Sequence, residues 1–407
     1  MASKWIYNCP TALINETISL LSLTPQGQVS YRIGADFNFD SLYGLIEHDH
    51  NLDSETLFKT FKESVFYCFK KDMIKNHNHL LVEFDKRCHK STKKEKFTIV
   101  FPIVLKNIYA FPRLHIDECI ITFYNTTPLK YKKYRTQEIL TASSSLGEEE
   151  SKHTIVTVST IAPNIESAIS RSSEAFDIVL ATLQIGFKKS INFLGSTDEF
   201  QYPTKCIVSL GQFQTIHDQR GHCHPNSLWE NPDFKANQQP ISLKNPSATI
   251  SHLKKTLKKI QKLPYNTHVK SGLRNYSTAI SCVNAELRLT KLWVTIEQLV
   301  MADDTEKLTK RVSFFYSKQD LHRSILKSLR HSRNTHIHAG KKPTNIDIKM
   351  FQLCLYIEHL LRFFISNHFK HKNTQEIGAF ISLSTEATNI SEQISRLKAV
   401  MKFISTD

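Results

Sequence analysis

Between Asn275 and Asn367 the apolar residues recur at helical spacing, and that limits what this part of the chain can build. In Asn275–Met301, Ile280, Val283, Leu287, Leu292, Ile296 and Leu299 return every three to five residues, as one buried helix face does. Asp347–Asn367 is richly apolar without proline or glycine, which predicts a second long helix. Between them, a third helical stretch from Ser324 runs on until Gly340 stops it. These three predict a helical bundle with a polar turn inside it.

The middle helix carries the chemistry. Arg333, Asn334 and His338 follow in the order Arg-Asn-x-x-x-His. Asn334 and His338, four apart, share a helix face, while Arg333 must curl its long stem to meet the imidazole. A guanidinium and an imidazole converging on one point can bind a phosphodiester and move protons on it. Spacing alone decides nothing. Arg330/His336, Arg333/His338 and Arg362/His368 all lie five to seven apart, and chance gives roughly two such pairs. His336 is a supporting candidate, and His331 reads as a solvated histidine. Glu297, one turn beyond Trp293 on the same side of its helix, either pairs with Arg333 or His338 or is simply solvated.

Leu292-Trp-Val-Thr-Ile-Glu-Gln-Leu, a gap, and then Leu329-x-x-x-Arg-Asn-x-x-x-His-x-Gly resemble the C-terminal domain of Apea-like HEPN proteins. Those are helical ribonuclease modules of prokaryotic abortive-infection and toxin systems. The likeness covers about Ser271–Lys372. It implies a HEPN-like bundle that cleaves RNA, tRNA or another cellular RNA, without metal or other cofactor, using Arg333, Asn334 and His338. It also implies a homodimer whose two motifs share a cleft, and a phage-derived trigger or an inhibitory partner.

The 407 residues predict two domains: a mixed α/β region over 1–264, to which the resemblance would give a sensor or specificity role, and the helical domain over 265–407. The fold class is therefore an α+β N-terminal region followed by an all-α bundle. A net charge of +15, from 53 Lys+Arg against 38 Asp+Glu, favours a polyanion partner. Eight dispersed cysteines with no Cys-x-x-Cys read as reduced thiols of a cytoplasmic protein. No apolar run approaches the ~20 residues of a membrane span, and the first residues lack a signal-peptide core. Only 11 glycines and no Walker or G-x-G-x-x-G pattern argue against a Gly-rich nucleotide fold.

In the N-terminal half, Thr98–Leu105, Leu114–Tyr124 and His153–Ser159 have the β-branched runs of strands. Leu57–Ile74 and Asn164–Leu183 read as helices, the first with Phe58, Phe61, Val65 and Phe69 in one stripe. Lys86–Lys96 reads as a basic solvated loop or an RNA-backbone contact. Tyr131-Lys-Lys-Tyr-Arg135 suits either an edge strand or base stacking beside phosphate pairing. Thr141–Lys152 and the proline-rich His224–Pro246 read as loops. His217–His224 holds three histidines and Cys223, but no second ligand pair at finger spacing follows, so no metal site is expected.

Ser251–Leu263 is a short amphipathic helix ended by Pro264. Leu253, Leu257 and Ile260 form its apolar stripe; Lys254, Lys255, Lys258, Lys259 and Lys262 form the other face and are candidates for guiding RNA. Ile394–Phe403 is a last helix, expected to dock on the bundle or on a partner. Two alternatives to a ribonuclease remain: a non-catalytic HEPN-type binding or dimerisation module, and a basic DNA-binding regulator. No helix-turn-helix spacing or zinc finger supports the latter.

Overall fold

The computed structural model describes residues 3–50, 52, 54–74, 77–90, 94–106, 113–142, 153–186, 206, 208–225, 227–231, 234, 241–243, 245–302, 304–340 and 343–404. The chain is α+β as far as residue 242 and helical from Pro246 onward. No described helix is long and apolar enough to cross a membrane.

The first unit comprises β1 (Lys4–Trp5), α1 (Thr11–Ser19), β2 (Leu21–Leu23), β3 (Val29–Tyr31), α2 (Gly34–Tyr43), β4 (Ile46–Glu47), α3 (Ser54–Lys70) and α4 (His77–Lys90). It has a core of its own, in which Ile14, Phe39, Phe61, Val65 and Phe84 are almost wholly buried. The predicted stripe of α3 points into it, with Phe58 and Phe69 at its margin. Lys86–Lys90, expected as loop, is instead the last turn of α4. There the bond from Arg87 Nε to Glu83 Oε1 (2.8 Å) supplies the i,i+4 pair that lets a basic run stay helical. Lys96 lies in β5, and residues 91–93 fall outside the described residues.

The next elements are β5 (Glu95–Ile103), β6 (Leu105–Lys106), β7 (Leu114–Ile116), β8 (Cys119–Tyr124), α5 (Leu129–Ala142), β9 (Thr154–Ala162), α6 (Ile165–Gly186), β10 (Phe213–His217), β11 (Trp229–Glu230) and β12 (Ile241–Ser242). Six strands form one antiparallel sheet in the order β11-β10-β5-β9-β8-β7, and β12 pairs with β6. Leu114–Tyr124 is not one strand but a hairpin. Asp117 turns it at φ 50°, a left-handed conformation that Asp tolerates.

Tyr131–Arg135 is neither edge strand nor exposed platform, because it lies in helix α5. Arg135 is fully buried there, donating from Nη1 to Val100 O (2.9 Å) and Thr215 Oγ1 (2.7 Å), and from Nη2 to Phe213 O (2.9 Å). A buried guanidinium bonded to sheet carbonyls holds the segment helical against its alternating pattern.

Eight helices complete the chain: α7 (Pro246–Gln261), α8 (Asn266–Ser281), α9 (Ala285–Val300), α10 (Thr305–Ser313), α11 (Gln319–Ala339), α12 (Ile346–Ser366), α13 (Thr374–Phe380) and α14 (Ala387–Ile404). The single helix expected over Asn275–Met301 is broken between α8 and α9. The Asn284 side chain accepts the N–H of Leu287 (2.8 Å) and starts a new helix. Arg288 Nε donates to Cys282 O (2.7 Å), satisfying a carbonyl at the end of α8. Val283 and Leu287, expected on the buried face, are consequently about half exposed (50% and 47%).

α9 returns antiparallel to α8, with Gln298 Nε2 donating to Ser271 Oγ (2.8 Å). Gly272 lets the two helices close up, since a Cβ there would lie 2.5 Å from Leu299 Cδ2. α12 seals the pair, with Tyr276 OH donating to buried Glu358 Oε1 (2.6 Å). α6 lies between sheet and bundle, joined to α8 by the bond from Ser277 Oγ to Asp177 Oδ1 (2.7 Å). One continuous core runs from Ile99 and Phe176 through Leu253, Leu257 and Tyr265 to Leu292 and Phe364. Residue 264 thus falls between two helices, α7 and α8, that share one core, and the change from α+β to helical comes earlier, between 242 and 246.

Candidate functional site

α11 positions the Arg-Asn-x-x-x-His stretch. Leu326 and Leu329 are buried and set its inner face, and Gly340 (φ 63°) ends it by donating to His336 O (2.9 Å). At 100° per residue, Arg333 lies about 10° and His336 about 50° from the mean direction of those two leucines, whereas Asn334 and His338 lie about 110° and about 150° from it. The partner of Arg333 is Asn334, whose Oδ1 accepts from Nη1 at 2.8 Å. The side chain of His338 lies outside the described residues; its backbone is in the last turn of α11.

His336 is the imidazole on the Arg333 side. Its Nε2 stands 3.7 Å from Glu286 Oε2, in the first turn of α9, so this end of α11 abuts the start of α9. Three nitrogens in this turn and a half of helix, Arg330 Nε, Arg333 Nε and His336 Nδ1, are buried with no hydrogen-bond partner among the described residues. Buried N–H groups are rarely left unpaired, and two guanidiniums with open donors make an anion-accepting surface.

Glu297 is not part of this cluster. It accepts from Trp293 Nε1 (2.6 Å), and eleven residues of helix set it about 16 Å from Glu286 along α9. The Trp-x-x-x-Glu pattern therefore closes on itself and helps hold the fully buried indole. Glu286 had only its position before a helical stretch to recommend it; its meeting with His336 depends on how α9 and α11 pack.

The five lysines stand where the periodicity put them. Lys254, Lys255, Lys258, Lys259 and Lys262 are exposed along α7 while Ile250, Leu253, Leu257 and Ile260 are buried. The helix starts earlier than expected because the Asn245 side chain accepts from Ala248 N (3.0 Å) ahead of Pro246. Its far end meets β7 through Gln261 Nε2 to His115 O (2.6 Å).

The His217–His224 stretch is structural. His217 is fully buried, with Nε2 on Thr215 Oγ1 (2.9 Å) and Nδ1 on Gly221 O (3.0 Å), so neither nitrogen is open to a metal. Burial pulls its pKa down to about 4. His222 pairs with Asp218 at 3.2 Å. Among the described residues no cluster of three His, Cys, Asp or Glu side chains could hold a metal ion. None of the eight cysteines is in a disulfide, and burial pushes the thiols of Cys68 and Cys88 up to about 11 and about 12.

Compared with protein-family models, curated proteins and solved structures, the chain matches none.

Proposed function

We propose that this chain is a metal-independent endoribonuclease of the HEPN type, acting in the cytoplasm of a prokaryote as part of an antiviral or toxin system. The observation that carries the reading is the cationic stretch of α11, where Arg330 Nε and Arg333 Nε are buried without a hydrogen-bond partner among the described residues, beside the motif Arg333-Asn334-x-x-x-His338. The net charge of +15 supports a polyanionic substrate.

The chemistry is transesterification within RNA. A neutral imidazole takes the proton of a ribose 2′-OH while its oxygen forms a bond to the adjacent phosphorus. The P–O5′ bond breaks, and an imidazolium returns a proton to the departing oxygen, leaving a 2′,3′-cyclic phosphate and a 5′-OH. Histidine is the side-chain type whose unperturbed pKa lies near neutrality, so His338 is the motif residue suited to either proton transfer. Arg333 offers a planar fork to the phosphorane oxygens, and Asn334 orients it through the bond at 2.8 Å. His336, paired with Glu286, is the supporting imidazole on the Arg333 side. A homodimer would bring a second motif to the same phosphate and supply the other acid–base group.

One observation favours a second reading, a non-catalytic binding or dimerisation module. Arg333 is on the leucine side of α11 and already bonds Asn334, as a residue holding a helix junction does.

The two readings part in one experiment. Purified wild type and His338→Ala are incubated with total cellular RNA in EDTA, and the ends are analysed. The ribonuclease reading expects 2′,3′-cyclic phosphate ends from wild type and none from the variant. RNA cut equally by His338→Ala removes that residue from the site.

A further inference from the structure

α14 does not dock on the bundle, since none of its residues is buried. A second set of exposed apolar side chains is gathered around a space within the fold. Ile169 (42%), Trp229 (48%) and Val283 (50%) come from α6, β11 and the break before α9, and all three line one cavity of about 1220 Å³. A space of that size holds a molecule of drug size.

The sheet supplies one wall. Ile99 of β5 and Ile216 of β10 are direct cross-strand partners. Phe101, two residues on from Ile99, shares their face, with its ring 4.9 Å from that of Phe176. Gln214 pairs with Trp229 and carries this wall on to β11. From α6, Glu166, Ile169, Ser173, Asp177 and Leu180 follow at steps of three or four, so one face of that helix forms the second wall. Ser281, Cys282 and Val283 add the third where α8 ends, which gives the exposure of Val283 a place in the fold.

The polar groups of the lining are short of partners. Ser172 is 2% exposed, and its Oγ has no hydrogen-bond partner among the described residues. Asp177 has one hydrogen bond among them, from Ser277 Oγ at 2.7 Å, and burial pushes its carboxyl up to about 6. Glu166 stands in the first turn of α6, and Lys291, from α9, is the one cation of the lining. Two carboxylates against one ammonium make this lining acidic in a chain of net charge +15. It is therefore no extension of a surface suited to a polyanion.

We propose that this cavity binds a small molecule with an apolar or aromatic body and a protonated amine. The body lies against Ile99, Phe101, Ile216 and Trp229. The ammonium donates to the Asp177 carboxylate, with Glu166 adding to the negative potential, and a polar atom of the ligand gives Ser172 Oγ its missing partner. The site stands whether or not the chain cuts RNA.

Its test is calorimetric titration of the full-length protein with 4-phenylbutylamine and with the near-isosteric anion 4-phenylbutyrate. The amine should bind with a Kd of about 1 mM or tighter, and the carboxylate about 10-fold more weakly or worse. The net charge of the protein attracts the carboxylate, so a preference for the amine has to come from the cavity. Asp177→Asn keeps an acceptor for Ser277 and should weaken the amine about 10-fold. Glu166→Gln, at an exposed position, should weaken it in the same direction by less. An amine that binds no tighter than the carboxylate, or that both variants leave unchanged, overturns the proposal. So does the absence of amine binding up to about 10 mM.

Discussion

Two places in this molecule set a histidine near an arginine, and they differ in what surrounds the nitrogens. In the sheet, His217 has a partner on each ring nitrogen and Arg135 bonds two carbonyls and a hydroxyl. At the end of α11, His336 and Arg333 each keep a buried nitrogen with no partner among the described residues. The first arrangement directs five hydrogen bonds to the fold, although Arg135 Nε, like Arg333 Nε, is a buried nitrogen with no hydrogen bond among the described residues. The second makes fewer bonds, which costs stability and makes sense where a ligand brings the missing acceptors. A polar cluster in a core is thus better judged by what remains unsatisfied than by its residue types.

The contrast breaks most easily at Arg135. Arg135→Met removes donors from Val100 O and Phe213 O inside the sheet, so urea denaturation should show a loss of about 3 kcal/mol or more. A loss below about 1 kcal/mol would mean that this arginine is not a structural anchor.

His217 sharpens the comparison through pH. Its folded pKa of about 4 lies below the ordinary 6.5, so the unfolded chain binds the extra proton first. The contribution of neutral His217 is complete above pH 6.5 and is lost as the pH falls towards 4, amounting to about 3 kcal/mol over that window. In His217→Gln, denaturation midpoints measured between pH 7 and 4 should lose that part of the acid slope. An unchanged slope would assign it to other groups.

Arg333→Ala should have the smallest effect on stability, within about 1 kcal/mol, because Asn334 is its one hydrogen-bond partner among the described residues. RNA cleavage should nevertheless fall by about 100-fold or more. A large loss of stability would instead make Arg333 the counterpart of Arg135 and favour the scaffold reading.

The helical elements were legible because their apolar periodicity is enforced by burial, as in α6, α7 and α12. The break before α9 was hidden, since Val283 and Leu287 keep the spacing of a buried face. The visible cue was Asn284, an ordinary capping residue three positions ahead of Leu287. Tyr131–Arg135 misled for the opposite reason. Its alternation mimics a strand, but the guanidinium of Arg135 finds its acceptors only when α5 lies against the sheet. At the candidate site the motif singled out Arg333, Asn334 and His338, with His336 as a supporting candidate beside it. Glu286 was not, because it lies fifty residues away and meets His336 only through helix packing.

The core that runs uninterrupted past residue 264 bears on how such a chain can be recombined. A cut there would strip apolar cover from α7 on one fragment and from α8 and α12 on the other, so neither piece is an exchangeable cassette. The core divides ahead of β5, where the first unit keeps its own interior. Shuffling that swaps front ends should succeed at that earlier boundary, carrying sheet and bundle together as one inherited block.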